Sequence, residues 1–158
     1  MLKKSVLGSL LMLIVVFIAA CGDNSIDTRV SVDSPASTSS LIFPVELTGD
    51  RIEAGEIIYS NNCASCHGAV NGRPVLDSAP PHGDAGHTWH HADRLLYQWI
   101  LDKPPLATVM PAFRGTLTDD QVMQVLAYIK NSWLPEIQDR QNEGSGQYEA
   151  QIIEFGTE

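Results

Sequence analysis

Two cysteines with a two-residue gap, followed at once by a histidine, constrain this chain more than any other feature: Cys63-Ala64-Ser65-Cys66-His67. At a helix end this gap lets both sulfurs reach one edge of a flat ligand, with the imidazole directly beneath it. The spacing is a recognised attachment signal for a c-type haem. There the thiols add across the haem vinyl groups as thioethers, and the histidine meets the iron. A structural zinc site would need two further ligands at suitable spacing. A thioredoxin-like redox pair would need a strand and helix context, and no stretch of this chain reads convincingly as a strand.

The third cysteine belongs to a different problem. Lys3 and Lys4 precede an apolar run from Val6 to Ala20, which ends in Ile18-Ala19-Ala20-Cys21. A positive start, a short apolar stretch and small residues at a cut site describe a signal peptide. The run falls short of the about 20 apolar residues that span a bilayer comfortably. The cysteine after Ala-Ala resembles the lipobox of bacterial lipoproteins, which implies that Cys21 becomes the acylated first residue of the mature protein. An uncleaved anchor helix, or an ordinary signal peptide with a chance cysteine, is the bland alternative. Residues 1–20 are thus expected to be a signal peptide, and 21–47 a lipidated N-terminus and flexible linker. Segments such as Ser31-Val32-Asp33-Ser34-Pro35-Ala36-Ser37 have linker composition. As a coil of about 25 residues it would reach on the order of 25–30 Å. Leu41-Ile42-Phe43 could instead begin packing on the domain.

Three helical patterns follow. The first covers about Arg51 to Asn62, with Asp50 as cap and Glu53 at the box position, and Ile52, Gly55, Ile58 and Tyr59 on one face. Gly55 costs helix stability, which makes sense where another helix crosses closely. The second covers about His90 to Asp102, with Leu95, Leu96, Trp99 and Ile100 as its apolar face, and Pro104-Pro105 stops it. The third is capped by Thr118 with Gln121 at the box position and carries Val122, Val125, Leu126, Ile129 and Trp133 on one face. Pro135 ends it. Residues 136–158 form an acidic extension in which Glu136 to Glu143 could make one more exposed turn or helix; from Gly144 onward no regular structure is expected.

Met110, in Val109-Met110-Pro111-Ala112-Phe113, is the candidate sixth ligand to iron. Met123 falls inside the third helix, where packing is the expected role. A methionine sulfur opposite histidine raises the reduction potential relative to paired histidines. The plain alternative is that Met110 merely packs. In order along the chain, Gly55 and Tyr59, then Cys63-Ala64-Ser65-Cys66-His67-Gly68, then Met110-Pro111, then Leu117-Thr118-Asp119-Asp120-Gln121 and Leu126-Ala127-Tyr128-Ile129-Lys130 resemble the single-haem class I cytochromes c. The resemblance covers roughly residues 48–134. It implies an all-α fold, a small cytochrome c domain over 48–135 with three main helices around one haem c per chain. It further implies that the first and last helices cross with Gly55 and Tyr128 at the contact. A proline carbonyl would accept a hydrogen bond from His67; Pro80 and Pro81 look like that residue, with Pro74 also open.

The chain departs from this pattern between Pro80 and His91, which hold four of its five histidines. Three readings compete. His87, Trp89 or His90 could donate hydrogen bonds to haem propionates. The cluster could be a surface loop and helix start. Or two or more of His87, His90 and His91 could bind copper or zinc, since imidazole suits both metals. Replacement of Met110 on iron by one of these histidines is a further possibility. Their ordinary pKa near 6.5 could make the potential pH-dependent.

The expected function is one-electron transfer in the cell envelope, on the extracytoplasmic side of a bacterial membrane, by a lipid-tethered monomer that catalyses no reaction itself. Its redox partners would be proteins such as a respiratory complex, an oxidase or a dehydrogenase. The alternatives are a fixed electron-entry subunit of a larger enzyme and a haem protein with a metal-binding histidine segment. A net charge of −9 argues against nucleic acid as a partner.

Overall fold

The computed structural model describes residues 41–156; the signal peptide, Cys21 and most of the expected linker lie outside the described residues. Over the described residues the chain is all-α, as expected, with α1 (Gly49–Asn62), α2 (Ala64–His67), a 3-10 turn (Thr88–His90), α3 (Asp93–Asp102), α4 (Asp119–Asn131) and α5 (Pro135–Phe155). No helix among them is long and apolar enough to cross a membrane.

Helix α1 starts earlier than its sequence pattern suggests. Thr48, in extended conformation, caps it by accepting from the Arg51 amide at 3.3 Å. Asp50 is therefore not the cap; it sits in the first turn, where its carboxylate faces the positive end of the helix dipole. At the other end the Cys63 amide donates to Tyr59 O, and the His67 amide donates back to Cys63 O. The haem motif is thus a second, short helix hinged at its first cysteine.

Helices α1 and α4 cross at Gly55. A Cβ there would overlap the Gln124 carbonyl and lie 2.9 Å from the Tyr128 Cβ. Only a hydrogen at this position allows the close approach. Tyr59 then stacks at a tilt on Tyr128, 5.4 Å between ring centres. Helix α4 has the capping box expected of it: the Gln121 amide donates to Thr118 Oγ1, and the Thr118 amide to Gln121 Oε1. Its buried Val122, Val125, Leu126 and Ile129 join α1 to α3.

Helix α3 begins at Asp93, not near His90, because Ala92 is extended and Thr88–His90 closes a separate tight turn. Its buried face is Leu96, Tyr97 and Leu101, while Trp99 and Ile100 are half-buried. The segment before α1 is part of the domain: Val45 is buried, and Leu41, Phe43 and Leu47 pack against the same core. The packed region therefore starts at least seven residues before position 48.

The largest departure is α5, 21 residues long. Pro135 starts it rather than merely ending α4, since proline's missing N–H is harmless at a helix's first position. It runs through Gly144 and Gly146, where no regular structure is expected from sequence. What docks it is polar. Gln141 and Ser145, one turn apart, are buried at 3% and 0% exposure, against Asp93 at 0%. Asp93 Oδ1 accepts from Gln141 Nε2 at 2.7 Å, and the Asp93 amide donates to Ser145 Oγ at 3.0 Å. The other oxygen, Oδ2, accepts from the Val45 amide at 2.7 Å and from Lys130 Nζ at 2.5 Å. Burial pushes the Lys130 pKa below the ordinary lysine value, and the Asp93 carboxylate partly offsets that. Arg94 and Glu149 add a bidentate pair between α3 and α5.

Two stability measurements check these contacts. Gly55→Ala should destabilise the domain by about 1–3 kcal/mol, as overpacked sites do. Gly144→Ala has open space around the new Cβ and should stabilise it by about 0.5–1 kcal/mol. Both are read from thermal unfolding followed by circular dichroism; the same sign for the two would contradict the packing described. Separately, Lys130→Met strands a buried carboxylate and should cost about 3–5 kcal/mol. A loss below 1 kcal/mol would mean that the Lys130–Asp93 pair does not hold these elements together.

Candidate haem site

The loop after the motif is folded back onto it. Gly68 has φ of +70°, and a Cβ there would collide with the Arg73 carbonyl, so glycine is required. Val75 and Leu76 amides both donate to Cys66 O. Tyr59, at the end of α1, donates its hydroxyl to Gly68 O at 3.2 Å. Burial raises the Tyr59 pKa above the ordinary phenol value, with Cys63 and Tyr128 adding to it, so the hydroxyl stays a donor.

His67 is buried, and its Nδ1 lies 3.0 Å from Pro80 O. A proline carbonyl can only accept, so Nδ1 carries the proton. That leaves the Nε2 lone pair free, the tautomer a metal requires. Of the three prolines open from sequence, the structure selects Pro80.

Cys63, Cys66 and His67 open onto a cavity of about 330 Å³, and Met110 lies on its lining with Leu106, Val109 and Phe113. A second recess of about 180 Å³ shares His67, Pro80, Pro104 and Met110 with it and is otherwise walled largely by Leu96, Trp99, Ile100, Leu126 and Ile129. The fit to a haem is direct. An apolar slot carries thiols and an imidazole at one edge and a thioether on its lining. Cys63 and Cys66 are both free thiols. Burial, and then the neighbouring Cys66, pushes the Cys63 thiol up to about 11, so it stays protonated at neutral pH.

Met110 is placed by the return of its loop to α3. Three residues on, the Phe113 amide donates to Ile100 O at 3.1 Å and the Arg114 amide to Leu101 O at 2.9 Å. Arg114 also pairs bidentately with Asp102. Met123 is buried in the helical core and does not line the cavity, in keeping with a packing role.

The structure divides the histidine segment. His87, exposed, and His91, half-buried, line the second recess. Trp89 and His90 line an outer groove against α5, together with the other side of His91. Trp89 Nε1 donates to Asp84 O at 3.1 Å, its ring carries Arg140 at 5.6 Å, and His90 stacks on it at 3.7 Å. Among the described residues no group of three His, Cys, Asp or Glu side chains is placed to hold a metal ion.

His82 is the site residue that sequence reasoning passed over. Its ring stacks on His67, 4.3 Å between centres, and its Nδ1 pairs with Thr88 Oγ1 at 2.9 Å. Its carbonyl accepts from Trp133 Nε1 at 2.6 Å, which ties it to the end of α4. Burial, and then His67, pushes its pKa down to about 3, so the ring is neutral. The available signal was its position two residues past Pro80, which brings it back beside His67.

Comparison with known proteins agrees with this geometry. Residues 50–129, about half of the chain, match the family described as "Cytochrome C oxidase, cbb3-type, subunit III". Cytochrome c6 of Thermosynechococcus vestitus is 33% identical over 90 residues, which cover 56% of this chain and 75% of that protein. Cytochrome c6 of Synechococcus elongatus is 34% identical over 77 residues, 48% of this chain and 83% of that protein. The 1-butanol dehydrogenase (cytochrome c) of Thauera butanivorans is 29% identical over 91 residues, 58% of this chain, which spans only 13% of that enzyme. No solved structure matches the chain significantly. A covalently bound c-type haem and electron transfer follow from the family. The chain belongs to the single-haem c-type cytochromes, in the family described as cytochrome C oxidase, cbb3-type, subunit III.

Proposed function

We propose that this protein is a one-electron carrier of the bacterial cell envelope, held at the membrane by lipid on Cys21, with haem attached through Cys63 and Cys66 and iron held axially by His67 and Met110. The observation that carries it is the shared cavity: Cys63, Cys66, His67 and Met110 all line one apolar slot, and the Pro80 contact at His67 Nδ1 leaves Nε2 as the unprotonated nitrogen. When bound there, the haem supplies a metal centre that gains and loses a single electron. The protein's part is to hold ligands, exclude water and expose an edge. Pro80 fixes the imidazole, and Phe113 and Arg114 fix the methionine loop. With both His67 and Met110 holding the iron, no position would remain for substrate, and the chain itself would need no catalytic residue.

The mouth of the cavity supports transient docking. Leu106 is 95% exposed, and Val109 and Leu76 beside it are also exposed. An exposed apolar patch of this kind suits a small, short-lived interface with a redox partner. The partner class is a respiratory complex, an oxidase or a dehydrogenase. A second reading, a fixed electron-entry module of a larger enzyme, is favoured by one observation: the chain matches small segments of a cytochrome-containing butanol dehydrogenase and of the quinohemoprotein alcohol dehydrogenase of Comamonas testosteroni.

Met110→Ala should remove the weak near-infrared band of methionine-ligated ferric haem, lower the reduction potential and admit cyanide to the iron. His67→Ala should abolish stable low-spin haem. A variant at Met110 that keeps the band and excludes cyanide sinks that ligand assignment. For the anchor, Cys21→Ser should move the protein from the membrane to the soluble fraction; continued membrane retention would mean an uncleaved apolar helix instead of lipid.

A further inference from the structure

The second recess has a polar end that axial ligation leaves without a task. His82, Thr88, His87 and His91 form it. The first two are committed to each other. Thr88 donates its hydroxyl to Pro81 O at 3.3 Å, so it must accept from His82 Nδ1. His87 and His91 meet edge to face at 5.0 Å. Among the described residues no protein group hydrogen-bonds to the ring nitrogens of either. Trp89 and His90 face the outer groove instead, and the Trp89 N–H is already used by Asp84 O.

A haem brings carboxylates as well as iron, in its propionate chains. Buried carboxylates need donors, and unpaired ones are costly. The thiols lie on one side of the slot and the imidazoles on the other, with His87 exposed at the rim and His91 half-buried, which would orient the haem with its propionates toward these histidines. We propose that His87 and His91 are the propionate-binding residues of this protein, each donating a ring N–H to a haem carboxylate. This rests on the haem reading of the cavity and adds to it the residues that seat the far edge of the ring.

The surroundings support the pairing. Burial lowers the His91 pKa, and His87 and His90 nearby lower it further. Its position thus disfavours the His91 imidazolium until a negative group arrives. Asp93, two residues on, is not that group, because its oxygens are taken by Val45, Lys130 and Gln141. His91 is also held in place before any ligand comes. Its carbonyl accepts from Gln141 Nε2 at 3.0 Å, and its ring meets Trp99 edge to face at 4.6 Å. Helix α5 therefore acts on the haem pocket from outside, by positioning His91.

The test uses the full haem-loaded protein. His87→Leu, His91→Leu and the double variant are compared with His90→Leu as the outer-groove control. The first three should shift the propionate bands of the resonance Raman spectrum. They should also favour ferric iron, because a carboxylate stripped of its donors stabilises the extra positive charge. The expected size is on the order of tenfold in the ferric/ferrous equilibrium, about 59 mV for one electron. His90→Leu removes the ring stacked on His87 at 4.6 Å but no group that lines the recess, so it should shift both by less than His87→Leu or His91→Leu; His91→Gln, which keeps an N–H donor, should recover part of the loss. Unchanged bands and potential in the double variant would overturn the proposal. Should the leucine variants fail to mature, the wild-type protein with isotope-labelled histidine decides. Nuclear Overhauser contacts from the His87 and His91 rings to the propionate methylenes support the assignment, and their absence overturns it. A wild-type protein without covalent haem, seen by haem staining on a denaturing gel, would instead refute the haem reading and this proposal with it.

Discussion

One buried carboxylate organises the domain beyond its haem motif. Asp93 is fully buried, and a charge there is tolerable only with a partner and a full set of hydrogen bonds. It meets that demand by drawing donors from three parts of the chain: the Val45 amide, the Lys130 ammonium of α4 and the Gln141 amide of α5. Its own amide goes to Ser145. Asn142 takes another of the Lys130 protons at 2.8 Å. The N-terminal segment, α4 and α5 are therefore registered against the first residue of α3. Apolar packing alone would allow α5 to slide or rotate. A set of directional bonds to one carboxylate allows few alternatives, which is the specificity that buried polar groups can confer.

This arrangement links the periphery to the cavity. The start of α3 sets where Trp99 and Ile100 enter the recess and where His91 turns its ring. The proximal side is fixed independently, by Pro80 on His67 and by the stack of His82 against it. His82 is itself tied to Trp133 at the end of α4. Two wings of the pocket thus hang from α4, one through Lys130 and Asp93, the other through Trp133 and His82. The crossing of α1 on α4 at Gly55 joins the thiol-bearing end to the same helix. Helix α4 lines the recess directly through Leu126 and Ile129, and the other walls are referred to it as well.

The parts legible in sequence are those set by short-range rules. The haem motif, the Thr118–Gln121 box, the apolar face of α4 and the close approach at Gly55 each depend on residues a few positions apart. The choice of Pro80 over Pro81 or Pro74 did not, since it depends on how a 13-residue loop closes. A helix from Glu136 was open to the sequence reading, but its burial against Asp93 and its run past Gly144 were illegible for a physical reason. Its docking residues, Gln141 and Ser145, are polar, and an apolar periodicity test sees neither; Gly144 and Gly146 read as breakers. Thr48 caps α1 in place of the expected Asp50, since both are good cap residues and only the backbone distinguishes them. The division of the histidines between recess and groove turns on Thr88–His90 being a 3-10 turn, which residue types in that stretch do not announce.

The two proposed iron ligands are held with unequal firmness. His67 is buried in a short helix, bonded at Nδ1 and stacked on His82. Met110 lies in a loop whose return to α3 depends on two backbone hydrogen bonds and the Arg114–Asp102 pair. That pair is exposed at 60% and 52%, so it contributes little in water. The loop also leaves α3 through Lys103, a non-glycine residue at φ of +78°, a conformation that costs energy and persists only when its surroundings enforce it. The surrounding enforcement is the Lys103 amide on Trp99 O and the prolines that follow. A strained exit, weak closure and exposed Leu106 at the tip make this the side of the pocket with least protein support. The sulfur–iron bond would then do for the loop what Asp93 does for α5, supplying the missing restraint from one end.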